Sequence, residues 1–267
     1  MLSVKTKYVR WKAKQIVRLG GILLLIAGCG DGDRARQADK AAQDTPRFVE
    51  AQARFRALVF TKTTGFRHDS IPQGVAAIRQ LGRDHDFAVD TTESAGRFTH
   101  RNLARYKVVI FLQTTGTPIR STAQRAAFQR FIRRGGGYFG VHAASDTRGG
   151  WPWYERLVGT RFARHDPGVS ERAVDVVDRG TAATRGLPAS WARTDEWYEF
   201  RSEPSAHVLA QLDESRPLAW CHRYDGGRSV YTAMGHTKES YAEPQFVQHL
   251  LGAIEMAAGR VRFACAQ

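Results

Sequence analysis

Four histidines, His68, His142, His165 and His236, lie where a short apolar run gives way to a polar segment, or in the segment that follows. The acidic residues Asp69, Asp146, Asp195 and Glu196 occupy comparable positions. Imidazole nitrogens and a carboxylate oxygen are the ordinary ligands of a catalytic zinc that keeps one position open for water. Such an ion lowers the pKa of that water or polarises a sugar carbonyl. Without a metal, the same histidines can act as general acid and base, with Asp or Glu partners, because imidazole titrates near neutrality. The chain has no H-E-x-x-H or similar compact motif, so a centre of this kind has to be assembled from distant segments. Serine hydrolysis fits less well. The elbow pattern G-x-S-x-G is replaced by Gly140-Val141-His142-Ala143-Ala144, and Ser145 comes three residues too late. Gly135-Gly136-Gly137 precedes an apolar strand pattern, whereas dinucleotide-binding glycines follow one, so no nucleotide cofactor is expected.

Aromatic residues accompany these candidates: Trp151, Trp153, Tyr154, Trp197, Tyr198, Phe200 and Tyr241. At least half of such rings belong to a core. The others suit a pocket for a small carbohydrate, and Arg67, Trp153, Trp197, Tyr198 and Tyr241 are the substrate-binding candidates, with Arg148 a further cation placed to meet an anion or a carbonyl oxygen.

Positioning these groups requires an α/β frame. Residues 56–60, 87–92, 107–112 and 138–142 read as strands, the third nearly continuous in apolar residues, and helix patterns separate them. This alternation predicts a doubly wound, mostly parallel sheet covered on both faces. Loops at the carboxyl ends of parallel strands share one edge, so His68 and His142 can approach each other, and His236 joins them if its strand is parallel too. Ser70 and Ser121 are the expected helix N-caps. Residues 173–177, 207–212, 218–222 and 229–233 read as further strands, with a hairpin at Gly226-Gly227 and a closing helix over 244–258.

The chain of 267 residues carries a formal net charge of +14. Six of those cations, Lys5, Lys7, Arg10, Lys12, Lys14 and Arg18, precede a short apolar run that ends at Ile26-Ala27-Gly28-Cys29, which has the layout of a secretory signal. Cys29 after Ala-Gly resembles the lipobox of bacterial lipoproteins, which implies lipidation of Cys29 and a membrane anchor facing the periplasm or cell exterior. Residues 1–29 are thus expected to be a lipoprotein signal peptide, 30–54 a polar flexible tether, and 55–267 one domain. The other cations are scattered beside acids rather than striped, so no nucleic-acid partner is expected. Cys221, inside an apolar strand pattern, reads as a buried thiol more than as a partner for Cys265.

Six ordered blocks resemble the ThuA-like (trehalose utilisation) family, which has the class I glutamine amidotransferase-like fold, a flavodoxin-like three-layer sandwich. They are Thr64-Gly65-Phe66-Arg67-His68-Asp69-Ser70-Ile71; residues 135–146; Trp151-Pro152-Trp153-Tyr154 with Leu157-Val158-Gly159; Thr194-Asp195-Glu196-Trp197-Tyr198; Ala219-Trp220-Cys221-His222; and Gly235-His236-Thr237 with Ser240-Tyr241. Amidotransferases of this fold carry a cysteine at the turn that His142 occupies here, so glutamine hydrolysis is not expected. The resemblance implies an enzyme of disaccharide or 3-keto-glycoside metabolism, acting by isomerisation, hydrolysis or elimination. It also implies a divalent metal, zinc first, on His68, His142, Glu196 and His236, with His68, His142, Asp69, Asp195 and Glu196 as catalytic candidates. Relatives often have His-Pro where this chain has His165-Asp166-Pro167, so the inserted Asp166 is either another site residue or only a changed loop. A non-catalytic carbohydrate-binding lipoprotein is the alternative.

Overall fold

The computed structural model describes residues 53–213 and 215–265. The expected signal peptide, the lipidated Cys29 and nearly all of the tether therefore lie outside the described residues. The elements run β1 (Phe55–Phe60), α1 (Ile71–Asp84), β2 (Phe87–Thr92), α2 (His100–Leu103), β3 (Val108–Leu112), α3 (Thr122–Arg133), β4 (Gly137–Val141), α4 (Pro152–Val158), β5 (Phe162–His165), β6 (Ser170–Val176), β7 (Ser190–Asp195), β8 (Tyr198–Phe200), β9 (His207–Leu212), β10 (Arg216–Tyr224), β11 (Gly227–Thr232) and α5 (Pro244–Ala257).

One sheet has the order β2-β1-β3-β4-β11-β10-β9-β6-β7. Its first five strands are parallel, in the order of flavodoxin-like doubly wound folds, and the last four extend it in antiparallel fashion. All five residues of β3 and of β4 are buried, as strands covered on both faces must be. Helices α1 and α5 pack against each other, α2 against α3, and the aromatic cluster of Phe111, Phe128, Tyr138 and Tyr154 fills the space under α3 and α4. This is the expected three-layer α/β architecture. The β10–β11 hairpin and the final helix also form as the sequence predicts, whereas β5 and the separate strand β7 carry no clear apolar alternation of their own.

Helix α3 ends in a Schellman motif. Gly135, at φ 85°, donates its N–H to Ile132 and Gly136 donates to Phe131. The turn redirects the chain into β4, which runs straight to His142. Two expected caps are not made: neither Ser70 nor Ser121 accepts a cap hydrogen bond through its side chain. The Ser70 hydroxyl instead donates to the carbonyl of His236 at 2.6 Å, so the site has recruited it. Cys221 is also corrected. It is bonded to Cys265, because the chain beyond α5 returns against β10 and brings the two Cα atoms within 5.7 Å.

His249, on α5, is 1 % exposed and donates from Nδ1 to the carbonyl of Ala183. Burial lowers its pKa to about 4. Its folded-state pKa lies below the unfolded value, so the folded state loses stability as pH falls from about 6.5 towards 4, at about 1.4 kcal/mol per unit. Urea unfolding at pH 7.5 and 4.5 should show wild type losing roughly 3 kcal/mol more than His249→Leu between the two conditions. Equal losses would refute the assignment.

Candidate functional site

The carboxyl edge of the parallel strands gathers the expected histidines. His68 comes from the loop after β1, His142 directly follows β4, and His236 comes four residues after β11. Because β11 is parallel to β4, its carboxyl end opens onto the same edge. The fourth member, Glu196, follows β7, which is last in the sheet order. Asp195 closes that gap. One carboxylate oxygen accepts the N–H of Gly235 at 2.7 Å, and the other accepts the N–H groups of His236 and Glu196, both at 2.9 Å. The end of β7 is thereby clamped to the loop after β11. Asp195 is fully buried against Arg193, at 2.9 Å from Nη2, so it holds the site together rather than reaching substrate.

His142 has φ 51°, a left-handed conformation costing a non-glycine residue about 1–3 kcal/mol. Its neighbours hold it there. Nδ1 donates to the carbonyl of Ala233 at 2.6 Å, and its own carbonyl accepts the Tyr231 hydroxyl at 2.7 Å. The Nδ1 proton thus fixed leaves the Nε2 lone pair facing Tyr198 Oη at 3.0 Å, His236 Nδ1 at 3.2 Å and Glu196 Oε2 at 3.4 Å. Glu196 Oε2 lies 3.2 Å from His236 Nδ1, and Glu196 Oε1 lies 3.2 Å from His165 Nδ1. A neutral imidazole nitrogen and a carboxylate oxygen this close both present lone pairs. Either a proton or a cation has to lie between them.

Ligand atoms of His68, His142, Glu196 and His236 all fall within 4.8 Å of one another. The donor set suits zinc. His68 Nδ1 adds a second mark of fit, because it is buried without a hydrogen-bond partner. Burial, then the neighbouring charges of His142 and His236, lower the His68 pKa to about 3, which keeps the ring neutral, with one nitrogen free of a proton, at neutral pH. Burial disfavours charge on Glu196, but the neighbouring His142 and His236 imidazoles outweigh it and hold the carboxyl well below the usual carboxylate range. Burial likewise works against a charged His236, and the bond to Glu196 reverses the balance and raises its pKa.

A cavity of about 210 Å³ opens over this cluster, walled by Phe66, Thr115, Ala143, Asp146, Phe162, His165 and Tyr198. Tyr198 is the one predicted substrate-binding residue that the structure brings to it. Arg67 pairs with Glu93 at 2.6 Å and Asp69 with Lys238 at 2.7 Å, both at the surface. The Trp153 indole donates to Asp225, which lies just before β11 at the opposite edge of the sheet. Trp197 is buried with its N–H on Ser170, and Tyr241 lies behind the cluster, bonded to Gln113 and Gly235. These aromatics are core groups. Arg148 is taken up by Asp146.

Three residues escaped sequence reasoning, Phe66, Phe162 and Gln113, whereas His165, one of the four candidate histidines, is brought to the cavity. Phe66 is 68 % exposed at the cavity mouth, edge-on to His68. Phe162 and His165 arrive on β5, which pairs only with β8. Gln113, buried at φ 54°, ties Ser70, Gly235 and Tyr241 together beneath the histidines. Its signal was a polar side chain directly after the apolar run of β3.

The sequence profile of the ThuA family, described as trehalose utilisation, matches residues 56–257. Similar solved structures include a ThuA-like protein from Bacteroides uniformis, with 24 % identity over 77 % of this chain and 91 % of that one at a TM-score of 0.63. Another is a ThuA-like protein from Parabacteroides merdae, with 19 % identity over 76 % and 90 % of the two chains at a TM-score of 0.62. A β-galactosidase from Bacillus circulans sp. alkalophilus is similar over 76 % of this chain but 31 % of its own, with 16 % identity and a TM-score of 0.52. At these identities the likeness is one of fold. No curated protein matches in sequence.

Proposed function

The chain belongs to the ThuA (trehalose utilisation) family, which supports a carbohydrate-related role, and from that premise we propose that it is an exported enzyme acting on a disaccharide or 3-keto-glycoside. The observation that carries this reading is the convergence of His68, His142, Glu196 and His236 beneath a small half-apolar cavity. These four residues would hold a divalent metal, zinc first, which when bound supplies Lewis-acid polarisation of a sugar carbonyl or a more acidic water.

The chain's own groups do the rest. Tyr198, whose hydroxyl is pushed well above its ordinary pKa by burial, stays protonated beside the cluster, its Oη 3.0 Å from His142 Nε2. Asp146 and His165 flank the cavity as candidate proton carriers, and burial raises the Asp146 pKa against the opposing pull of Arg148. Phe66 and Phe162 offer apolar faces to a sugar ring. Ser145 is committed to Tyr231 at 2.8 Å, which argues against a serine nucleophile. Isomerisation, hydrolysis and elimination are all compatible with this set of groups. The Cys221–Cys265 disulfide supports maturation in an oxidising compartment.

The test is metal content and turnover of keto-disaccharides, comparing wild type with His142→Ala and His236→Ala. Both variants should lose the ion, and turnover should fall by about 10²–10⁴. If neither quantity depends on these residues, the reading fails. Wild-type sugar binding without any turnover would instead indicate a carbohydrate-binding protein. For export, wild type should stay on membranes through a high-salt wash that releases Cys29→Ser, and a variant that resists the wash as wild type does would remove the lipid anchor.

A further inference from the structure

Parallel strands give the domain two unlike edges, and the edge opposite the site has a character of its own. The second cavity, about 240 Å³, lies there between α2 and the end of α3. Leu103, Ala127 and Phe131 make its floor, and His100, Lys107 and Arg134 stand around it. No acidic residue lines it. Lys107 and Arg134 are exposed, and neither forms an ion pair among the described residues. The His100 pKa is lowered by desolvation and then by the charges of Arg130 and Arg134. Arg105 lies beside them against Tyr106, before β3. The chain also enters the domain at this edge, at the first residue of β1.

We propose that this edge docks on a membrane surface rich in anionic phospholipid, with the cavity between α2 and α3 taking a head-group phosphate. Three observations select this partner. The cations are unneutralised, as an anionic surface requires. An apolar floor under them suits a phosphate ester carrying carbon, whereas free phosphate would leave that floor in water. An anchor at Cys29, as proposed above, would reach the domain through the first residue of β1 and so at this edge. The catalytic reading plays no part in this inference. In this orientation the cavity over the histidine cluster faces away from the bilayer.

The experiment uses the chain from Gly30 onward, which keeps every described residue and its own core while omitting the basic N-terminal region. Co-sedimentation with vesicles of phosphatidylglycerol and phosphatidylcholine is compared with vesicles of phosphatidylcholine alone. Wild type should prefer the anionic vesicles, and Lys107→Glu/Arg134→Glu should weaken that binding by about tenfold or more. Lys62→Glu/Arg120→Glu, which makes the same charge change after β1 and β3 at the other edge, should stay within about twofold of wild type. Lys107→Gln/Arg134→Gln, a milder change, should fall between, and circular dichroism of each variant establishes folding. Equal weakening by the two charge reversals would reduce the effect to net charge and overturn the proposal. So would unchanged binding in Lys107→Glu/Arg134→Glu, or abolition of wild-type binding by millimolar inorganic phosphate at constant ionic strength, which would point to a free-phosphate site.

Discussion

Replacing Asp195 by alanine is expected to destabilise the domain by about 3–5 kcal/mol. Arg193, 1 % exposed at its side chain, would lose a partner 2.9 Å away, and three backbone N–H groups would lose their acceptor together. Glu243, 3.4 Å from the same guanidinium nitrogen, compensates only in part because it is the more distant and the more exposed. Two further variants separate structure from positioning. Asp195→Asn keeps the shape but has a single acceptor oxygen for several donors. It should stay folded while turnover drops, because Glu196 and His236 both depend on that carboxylate for their backbone position. Arg193→Met/Asp195→Ala removes the unpaired buried charge and should recover part of the stability without restoring turnover. Urea unfolding and steady-state kinetics report the two effects. A cost below about 1 kcal/mol for Asp195→Ala would show that the buried pair does not hold the site.

The second large effect belongs to the disulfide. Cys221 and Cys265 close a loop spanning 44 positions. The chain-entropy relation then assigns the bond about 4 kcal/mol. Cys265→Ser should lose roughly that amount at neutral pH, and a reductant should lower the wild-type midpoint to nearly the same value. The comparison is informative because Cys265 is far from the histidine cluster in the chain and contributes nothing to the cavity lining. A variant that unfolds at the same urea concentration as oxidised wild type would show that the tail docks without help from the bond.

The parallel half of the sheet is legible because β1, β3 and β4 are buried on both faces and therefore read as unbroken apolar runs. The same property placed His68 and His142 on one edge. His236 followed only on the condition that its strand be parallel, and Glu196 needed the family resemblance, since periodicity says nothing about where β7 ends in space. That placement depends on a single carboxylate at Asp195, and a carboxylate looks alike in sequence whether it touches substrate, caps a loop or meets solvent. Asp69 and Arg67 illustrate the third case: they lie within a recognised block yet pair with Lys238 and Glu93 at the surface. Trp153, Trp197 and Tyr241 read as pocket aromatics, but each places its polar atom on a structural partner and its ring in the core. Phe66 is the converse. An exposed phenylalanine has no periodic signature, and only its position beside His68 gives it meaning. The disulfide was hidden for a similar reason, because Cys221 sits where an apolar thiol would also be at home.

The position of β11 between β4 and β10 has a consequence in time. A chain that emerges N-terminus first can pair β1, β2, β3 and β4 early, with His68 and His142 already at their edge. The cluster stays open until one of the last strands to appear slides into the middle of the sheet and carries His236 with it. Glu196 is released to its final place by the same event, since Asp195 can clamp only onto a loop that has arrived. The centre is therefore completed only once β11 has joined the sheet.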